Sequence, residues 1–245
     1  MPHRYFTTDI SGGTAVLSGA DAHHLAHVMR ARPGETVTLC DGKGTDYACA
    51  VRGFGPDTVE LEILSSFSSV SEPGVRVTLY VGYPKQDKLE TIVQKAVELG
   101  AYAVVPVETR RCVVKLDAKK AQKKVTRWQQ ISESAAKQSK RMLIPEVKNV
   151  MNWKEALAFA KGLDVVLIPY ELAQGMKETR EILAAIQPGQ SVGIFIGPEG
   201  GFEEEEVRDA MEAGGKPVTL GKRILRTETA GMTMLSILMY TLESV

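Results

Sequence analysis

The segment SVGIFIGPEGGF, residues 191–202, joins an unbroken apolar run to a turn rich in glycine and proline. The acidic stretch 203–213 follows it directly. A short apolar run bounded by glycine and proline predicts a buried strand. Acidic residues 203–206 then suit the first turn of a helix, where negative charge complements the helix dipole. The segment therefore predicts a strand, a tight turn and a helix, the repeating unit of an α/β fold.

The same alternation extends along the chain on both sides of this segment. Strand-like runs are predicted at residues 75–81, 102–107, 164–169 and 217–220. Helices are predicted at 87–99, 117–139, 152–162, about 177–186, and from about residue 228 onward. Alternating buried strands and helices predict a parallel sheet covered on both faces, whose ligands bind beyond the carboxyl ends of its strands. That rule selects the loops after Ile168, Ile196 and Leu220.

The first part of the chain has a different pattern of apolar runs and turns. Short apolar runs at 36–40, 47–51 and 58–64 are separated by turn residues, which predicts a meander of antiparallel strands, a small barrel, with one helix near 21–30. The Ser-rich stretch 65–74 ends in Pro-Gly and is typical of a linker. The chain is therefore predicted to hold two domains, at 1–70 and 71–245.

Composition indicates a soluble globular protein of 245 residues, 44% hydrophobic and 24% charged. The longest nearly apolar stretch, 230–242, is interrupted by Thr and Ser and is too short to span a bilayer. The start lacks a basic region followed by an apolar one, and the three cysteines form no CxxC pair. We therefore expect a cytoplasmic protein that is not integral to a membrane.

Charge is balanced overall, with 30 Lys+Arg and 30 Asp+Glu, but it is distributed unevenly. Residues 1–72 hold five basic and nine acidic side chains, whereas 110–141 holds eleven basic and two acidic ones, a local balance of +9. Such a block is an electrostatic footprint for a polyanion such as nucleic acid. On charge alone a solvated helix face is the simpler explanation, because the lysines of this block recur at helical spacing.

Several enzyme classes are disfavoured by missing motifs. GxGxxG is absent after residue 196, and GxxxxGK[ST] would need Gly and Ser or Thr where Lys216 and Arg223 stand, so a dehydrogenase or NTPase is not expected. The four histidines are His3, His23, His24 and His27, so the α/β region has no His for a Ser-His-Asp triad. No Cys or carboxylate at clear spacing completes a metal site with these histidines, and no metal is predicted.

Several ordered segments resemble the bacterial 16S rRNA (uracil-N3) methyltransferases of the SPOUT superfamily. They are IGPEGGF (196–202), LGKRILRTETA (220–230), PKQDKLE (84–90), KAVELG (95–100), AAKQSKR (135–141), RYF (4–6) and HHLAHVMR (23–30). The resemblance implies a PUA-like barrel that helps hold RNA, then a methyltransferase domain whose C-terminal strands and loops tie a trefoil knot around S-adenosylmethionine. It also implies a homodimer, with each active site completed at the subunit interface.

The resemblance carries site residues to matching positions of this chain. For the cofactor these are Leu167, Ile168, Tyr170, Glu171, Gly197, Pro198, Glu199, Gly200, Gly201, Leu220, Gly221, Ile224, Leu225 and Arg226. Arg226 is expected to stabilise negative charge on the uracil oxygens, and Glu199 or a water to accept the proton. For RNA they are Arg4, His24, Arg30, Lys88, Arg110, Arg111, Gln138 and Arg141, each of which would otherwise be a surface polar residue or ion-pair partner.

The function implied is methylation of N3 of a uridine in 16S rRNA, within an assembled small subunit, by S-adenosylmethionine. Two alternatives stay open. One is a SPOUT methyltransferase acting on tRNA or large-subunit rRNA, because a fold alone does not select a substrate. The other is a non-catalytic RNA-binding protein of ribosome assembly, although the glycine-rich turn 197–201 is intact.

Overall fold

The computed structural model describes residues 3–68, 71–113, 117–170, 173 and 175–243. The chain divides into an N-terminal unit, Met1–Glu72 with Ala136–Ile144, and an α/β unit, Pro73–Ala135 with Pro145–Val245. The sequence gives no sign that 136–144 groups with the N-terminal unit. Ion pairing explains it, since Arg141 in this segment contacts Glu72 at 2.6 Å, and Arg4 donates to the Arg141 carbonyl at 3.1 Å.

The N-terminal unit contains one six-stranded sheet in the order β1-β4-β5-β6-β3-β2. Its elements are β1 (Arg4–Phe6), β2 (Ile10–Ser11), β3 (Thr14–Ser18), α1 (Gly19–His23), a π-helical turn (His24–Val28), β4 (Thr36–Cys40), β5 (Thr45–Phe54) and β6 (Thr58–Ser68). The predicted antiparallel pairing is correct for all neighbours except β1 and β4, which are parallel. A parallel pair needs a long crossover, and β2, β3 and α1 supply it.

One local prediction in this unit is wrong. Residues 65–68 are not a linker, because β6 continues through them and pairs with β5, with Ser65 opposite Ala48 and Ser68 opposite Thr45. The helix predicted near 21–30 is present as α1 followed by the π-turn, after which the Met29 amide donates to the His24 carbonyl at 2.9 Å. Arg30 then adopts φ +54°, a left-handed conformation that ends the helical path.

The α/β unit holds a parallel sheet in the order β10-β8-β7-β12-β11-β13, with β9 beside β8. Its elements are β7 (Arg76–Gly82), α2 (Lys88–Glu98), β8 (Ala103–Glu108), α3 (Ala118–Gln138), β9 (Glu146–Val147), β10 (Met151–Asn152), α4 (Trp153–Ala160), β11 (Val165–Pro169), α5 (Met176–Ala184), β12 (Ser191–Ile196), α6 (Glu204–Glu212), β13 (Lys216–Val218) and α7 (Thr227–Leu242). Every pair is parallel, which confirms the predicted sheet.

Helices cover both faces of this sheet. Successive strand residues point to opposite faces, and Leu79 and Ile194 accordingly lie in one core while Tyr80 and Phe195 lie in the other. The first core receives side chains from α2, α3, α5 and α7. The second receives them from α4 and α6. Both faces of the strands are buried, so the strand ends and the loops beyond them are left for ligands.

The apolar C-terminal stretch is explained by packing within the sheet's first core. On α7, Met234, Leu235 and Leu238 are fully buried. Among the residues described, no helix is both long enough and apolar enough to cross a bilayer.

Candidate functional site

A crevice of about 510 Å³ opens where β11 and β12 end and where the chain leaves β13. We call it the first crevice. Its volume lies within the range of roughly 300–1,000 Å³ typical of small-molecule sites. Its walls are Lys88, Pro169, Tyr170, Ile196, Gly197, Pro198, Glu199, Gly200, Gly201, Phe202, Thr219, Leu220, Gly221, Arg223, Ile224, Leu225, Arg226, Thr227 and Ala230. Most of this wall is glycine, proline and aliphatic side chain, so backbone groups supply much of its polarity.

The glycine loop, residues 197–201, is folded tightly against the sheet. The Gly201 amide donates to the Pro198 carbonyl at 2.8 Å, and Gly201 has φ +69°, which favours glycine. A Cβ on Gly82, at the end of β7, would lie 2.5 Å from Pro198 Cδ. A Cβ on Gly197 would lie 3.1 Å from the Gly201 backbone. The loop's path therefore requires glycine both within it and on the neighbouring strand.

One side chain of α2 and one backbone amide before α2 hold the acidic residue of the glycine loop. Lys88 Nζ lies 2.9 Å from Glu199 Oε1, and the Lys85 amide donates to the same oxygen at 3.2 Å. Burial alone would raise the pKa of the Glu199 carboxyl, but the hydrogen bonds from Lys88 and from backbone amides hold that pKa below its ordinary value. Glu199 is therefore an ionised anchor at neutral pH.

The start of α7 supplies the other polar groups of the first crevice. Thr227 Oγ1 donates to the Gly197 carbonyl at 3.0 Å and so joins α7 to the glycine loop. Arg226 is the N-cap residue of α7 and is exposed. Its guanidinium forms no hydrogen bond or ion pair with the described part of the chain, so it is available to a bound anion.

Most of the predicted cofactor residues meet in the first crevice. They are Tyr170, Gly197, Pro198, Glu199, Gly200, Gly201, Leu220, Gly221, Ile224, Leu225 and Arg226. Leu167 and Ile168 do not line it, because both are interior residues of β11 whose side chains pack into the two opposite cores. Glu171 lies outside the described residues.

The crevice also contains residues that are absent from the predicted cofactor set. Lys88, which the resemblance assigns to RNA, and Thr227 are the most informative, since each holds the glycine loop through a side chain. Thr227 lies within the quoted segment 220–230 and faces inward because it begins α7. Lys88 is far away in sequence, and only the parallel pairing of β7 with β12 brings the two segments together.

The RNA residues predicted in the N-terminal unit fall into two groups. Arg4 and Arg141 lie in ion pairs with Asp46 and Glu72, and their side chains are 8% and 4% exposed. They stabilise the unit and have little surface to offer a phosphate. His24 is half-buried, with Nδ1 3.0 Å from the Tyr5 hydroxyl. Arg30 and Gln138 are exposed.

The RNA residues predicted in the α/β unit are already paired with carboxylates. Lys88 contacts Glu199, Arg110 contacts Glu205, and Arg111 contacts Glu203. The exposed lysines Lys119 and Lys123 of α3 differ, because neither has an ion-pair partner within the described residues. The charge of these two lysines on α3 is therefore not neutralised by a described carboxylate.

A second crevice, of about 360 Å³, opens at the same edge of the sheet, where β8 and β10 end. It is lined by Glu108, Thr109, Arg110, Cys112, Asn152, Trp153, Lys154, Glu206 and Asp209. Two of its polar side chains, Glu206 and Asn152, accept hydrogen bonds from backbone amides. Glu206 accepts from the Arg110 and Glu203 amides at 2.8 and 2.9 Å. The Asn152 side chain accepts from the Glu155 amide at 3.0 Å, which confirms the predicted capping box of α4.

Comparison with known proteins identifies the family. Residues 71–239 match the model of an RNA methyltransferase domain, and residues 17–64 match that of an RNA methyltransferase PUA domain. The ribosomal RNA small subunit methyltransferase E of Bacillus subtilis is 37% identical over 94% of this chain and 91% of its own length. The chain belongs to this methyltransferase family. The Mycobacterium bovis member is 33% identical over 92% of this chain and 86% of its own.

Solved structures of family members have the same fold. A ribosomal RNA small subunit methyltransferase E from Neisseria gonorrhoeae, bound to S-adenosyl methionine, superposes with a TM-score of 0.85 at 33% identity and covers 98% of this chain and 97% of its own. A Legionella pneumophila methyltransferase in complex with the bound cofactor SAM gives 0.87 at 30% identity, with 98% of both chains covered. The predicted α/β fold with an N-terminal PUA-like domain is thereby confirmed.

Proposed function

We propose that this chain methylates N3 of a uridine in 16S rRNA and uses S-adenosylmethionine as the methyl donor. The first crevice carries this proposal, because a backbone-lined cavity with an unpaired arginine stands at the strand ends of a chain from this family. Curated relatives bear the name ribosomal RNA small subunit methyltransferase E, and the Neisseria gonorrhoeae member was solved with S-adenosyl methionine bound. Methylation at N3 follows from the resemblance described above.

The residues of the first crevice fit this donor. The close approaches at Gly82 and Gly197 create a turn whose backbone amides and carbonyls can reach a ligand, and the cavity volume suits a nucleoside with an amino-acid arm. We assign the glycine loop and the 220–226 loop to adenine, ribose and the arm. When bound, S-adenosylmethionine supplies a methyl group whose transfer to N3 breaks its carbon–sulfur bond and leaves a neutral thioether.

Arg226 is the residue we assign to charge stabilisation. Loss of the N3 proton places negative charge on uracil, shared with the two neighbouring carbonyl oxygens. The Arg226 guanidinium is exposed and has no described partner, so its donors can bind those oxygens as the charge develops. Holding uracil in line with the methyl group would supply much of the remaining rate enhancement.

We assign the role of proton acceptor to water, because the contacts of Glu199 make it a poor general base. A general base works best when its pKa lies near the operating pH, whereas the pKa of Glu199 is lowered and its oxygens already accept from Lys88 and Lys85. We therefore assign Glu199 to holding the glycine loop. The N3 proton then leaves to a water molecule as the new nitrogen–carbon bond forms.

RNA binding is assigned mainly to the α/β unit. Lys119 and Lys123 on α3 have no described carboxylate partner, so their charge is available to phosphates. The N-terminal unit is acidic overall but presents Arg30 at its surface. We propose that Arg30 and His24 position RNA locally, while α3 supplies the long-range attraction.

We further propose the homodimer and the trefoil knot that the resemblance implies, and a cytoplasmic location, where small subunits are assembled. Apolar exposure supports the dimer. Tyr240 on α7 is 92% exposed, and Ile224, in the wall of the first crevice, is 84% exposed. A second copy that covers these residues would complete the site. Light scattering should give the mass of a dimer, and Tyr240→Glu should lower it toward that of one chain.

The function is tested by methyl transfer from labelled S-adenosylmethionine to small subunits that lack the modification. Naked 16S rRNA, large subunits and tRNA are assayed in parallel, and the modified nucleotide is mapped by mass spectrometry. We expect 3-methyluridine in 16S rRNA alone, with the assembled subunit as the better substrate. Transfer to tRNA or large-subunit rRNA would assign the chain another substrate, and cofactor binding without transfer would indicate a non-catalytic RNA-binding role.

A further inference from the structure

Two arginines follow β8 directly and have the same charge, but they contact different parts of the α/β unit. Arg111 donates from Nη1 to the Gly200 carbonyl at 2.7 Å. The same guanidinium donates from Nε and Nη2 to the two carboxylate oxygens of Glu203, at 2.8 and 3.1 Å. Arg110, by contrast, directs its guanidinium to Glu205 on α6.

We propose that Arg111 is a positioning residue for the methyl donor rather than a phosphate contact. Its planar guanidinium joins Gly200 of the glycine loop to Glu203, the N-cap residue of α6. A bidentate arginine pair fixes geometry as well as distance. This inference rests on the proposed function, since it deepens the role of the first crevice.

Packing adds to these hydrogen bonds. A Cβ on Gly200 would lie 3.2 Å from Arg111 Cβ and 3.3 Å from Arg111 Cδ, so the arginine stem runs along the loop backbone. At the start of the loop Thr227 donates to the Gly197 carbonyl, and at its centre Lys88 binds Glu199. The loop is therefore tied to three separate elements. Arg111, like Lys88, is a residue that the resemblance assigns to RNA but that holds the glycine loop here.

The charge environment agrees with this role. The Arg111 guanidinium holds the pKa of the Glu203 carboxyl below its ordinary value. Glu203 is therefore ionised at neutral pH, and the pair persists without RNA. A phosphate would have to displace Glu203 to reach the same donors. The glycine loop needs such a contact, because a loop with three glycines loses more conformational freedom on ordering than one without. The hydrogen bonds of Arg111 help to offset that cost.

The test compares Arg111→Ala with the matched control Arg110→Ala in the full chain. S-adenosylmethionine affinity is measured by titration calorimetry in the absence of RNA, and steady-state rates are measured with small subunits. We expect Arg111→Ala to raise the cofactor Kd and KM about tenfold, with kcat at saturating cofactor within about twofold. Arg111→Lys should give an intermediate Kd, because one ammonium cannot bind Gly200 and both Glu203 oxygens. Arg110→Ala should leave the cofactor Kd within about twofold.

Measurements of RNA binding and of thermal unfolding distinguish a positioning role for Arg111 from a phosphate contact and from a general effect on stability. Arg111→Ala should leave the salt dependence of RNA binding unchanged, whereas a lost phosphate contact would reduce its slope by about one. An unchanged cofactor Kd with that reduced slope would overturn the proposal, as would equal Kd increases in both variants. A Kd increase explained wholly by a lowered melting temperature would also overturn it. Failure of the wild type to bind cofactor would instead contradict the proposed function.

Discussion

The two crevices open at the same edge of one parallel sheet, yet different kinds of residue line their walls. The first, at the ends of β11 and β12, is walled by glycine, proline and aliphatic residues, and Arg226 in its wall has no described partner. The second, at the ends of β8 and β10, is walled mostly by charged and polar residues, among which Asn152 caps α4 and Glu206 binds backbone amides.

This difference concerns which groups of a strand-end crevice are free to bind a ligand. A polar group that already forms hydrogen bonds within the protein has few donors or acceptors left for a ligand. Backbone groups exposed by glycine, and a cation without an ion-pair partner, can still bind one. Glu206 illustrates the first case, since it accepts from two backbone amides and is 1% exposed. Arg226 illustrates the second. The following predictions test whether the two crevices differ in function as they do in construction.

Arg226→Ala should have the largest effect. We expect kcat for methyl transfer to fall about 10²–10³-fold, as is typical when one donor to a developing charge is removed. The cofactor Kd should change by less than about threefold, because the lost interaction forms with uracil. Single-turnover kinetics with small subunits measure the rate, and near-normal turnover would remove Arg226 from the mechanism.

Gly82→Ala should have the next largest effect. The added Cβ would meet Pro198 at 2.5 Å and displace the glycine loop. We expect the cofactor Kd to rise about 100-fold, measured by calorimetry. Gly162→Ala is the control, because nothing lies within 4 Å of its added Cβ. Equal affinities for the two variants would show that the loop's close approach to β7 is not required for binding.

Glu199→Gln should weaken cofactor binding about threefold, because it removes the charge that Lys88 holds. Since the folded pKa of Glu199 is lowered, its contribution is present above the ordinary glutamate pKa of about 4.3 and is lost only as pH falls through the lowered value. The wild-type cofactor Kd should therefore be flat from about pH 6 to 8. Glu204→Gln, at an exposed position, is the control. A break in Kd near pH 7 would contradict the assignment of Glu199 as an ionised anchor.

Asn152→Ala should have the smallest effect, and only on stability. The change removes the N-cap of α4 in the second crevice and should cost about 1 kcal/mol in the free energy of unfolding, measured by urea denaturation. Methyl transfer at saturating substrates should be unchanged. A loss of transfer without a loss of stability would give the second crevice a functional role.

Sequence patterns located the first crevice because its parts follow directly from chain order. Strand-end loops after Ile168, Ile196 and Leu220 meet in a parallel sheet, and glycine marks where the backbone turns sharply. Leu167 and Ile168 lie inside the strand, where their side chains alternate between two cores instead of facing the crevice, and their cofactor role stays a prediction. The alternation of side chains along a strand predicts these two orientations. A resemblance between motifs does not reveal them.

Partners remote in sequence could not be predicted. Whether Arg4 binds a phosphate or Asp46 depends on a contact between β1 and β5, and a local pattern does not reveal it. The same holds for Arg141 with Glu72 and for Lys88 with Glu199. Strand pairing also extends β6 through Ser65 to Ser68, where composition alone indicates a linker.

Amide hydrogen exchange with and without S-adenosylmethionine reports on both crevices in one experiment. We predict that the cofactor slows exchange in residues 197–202 and 220–226, which form the backbone wall of the first crevice, and leaves 152–155 of the second crevice unchanged. Protection of 152–155 with no change at 197–202 would contradict the account.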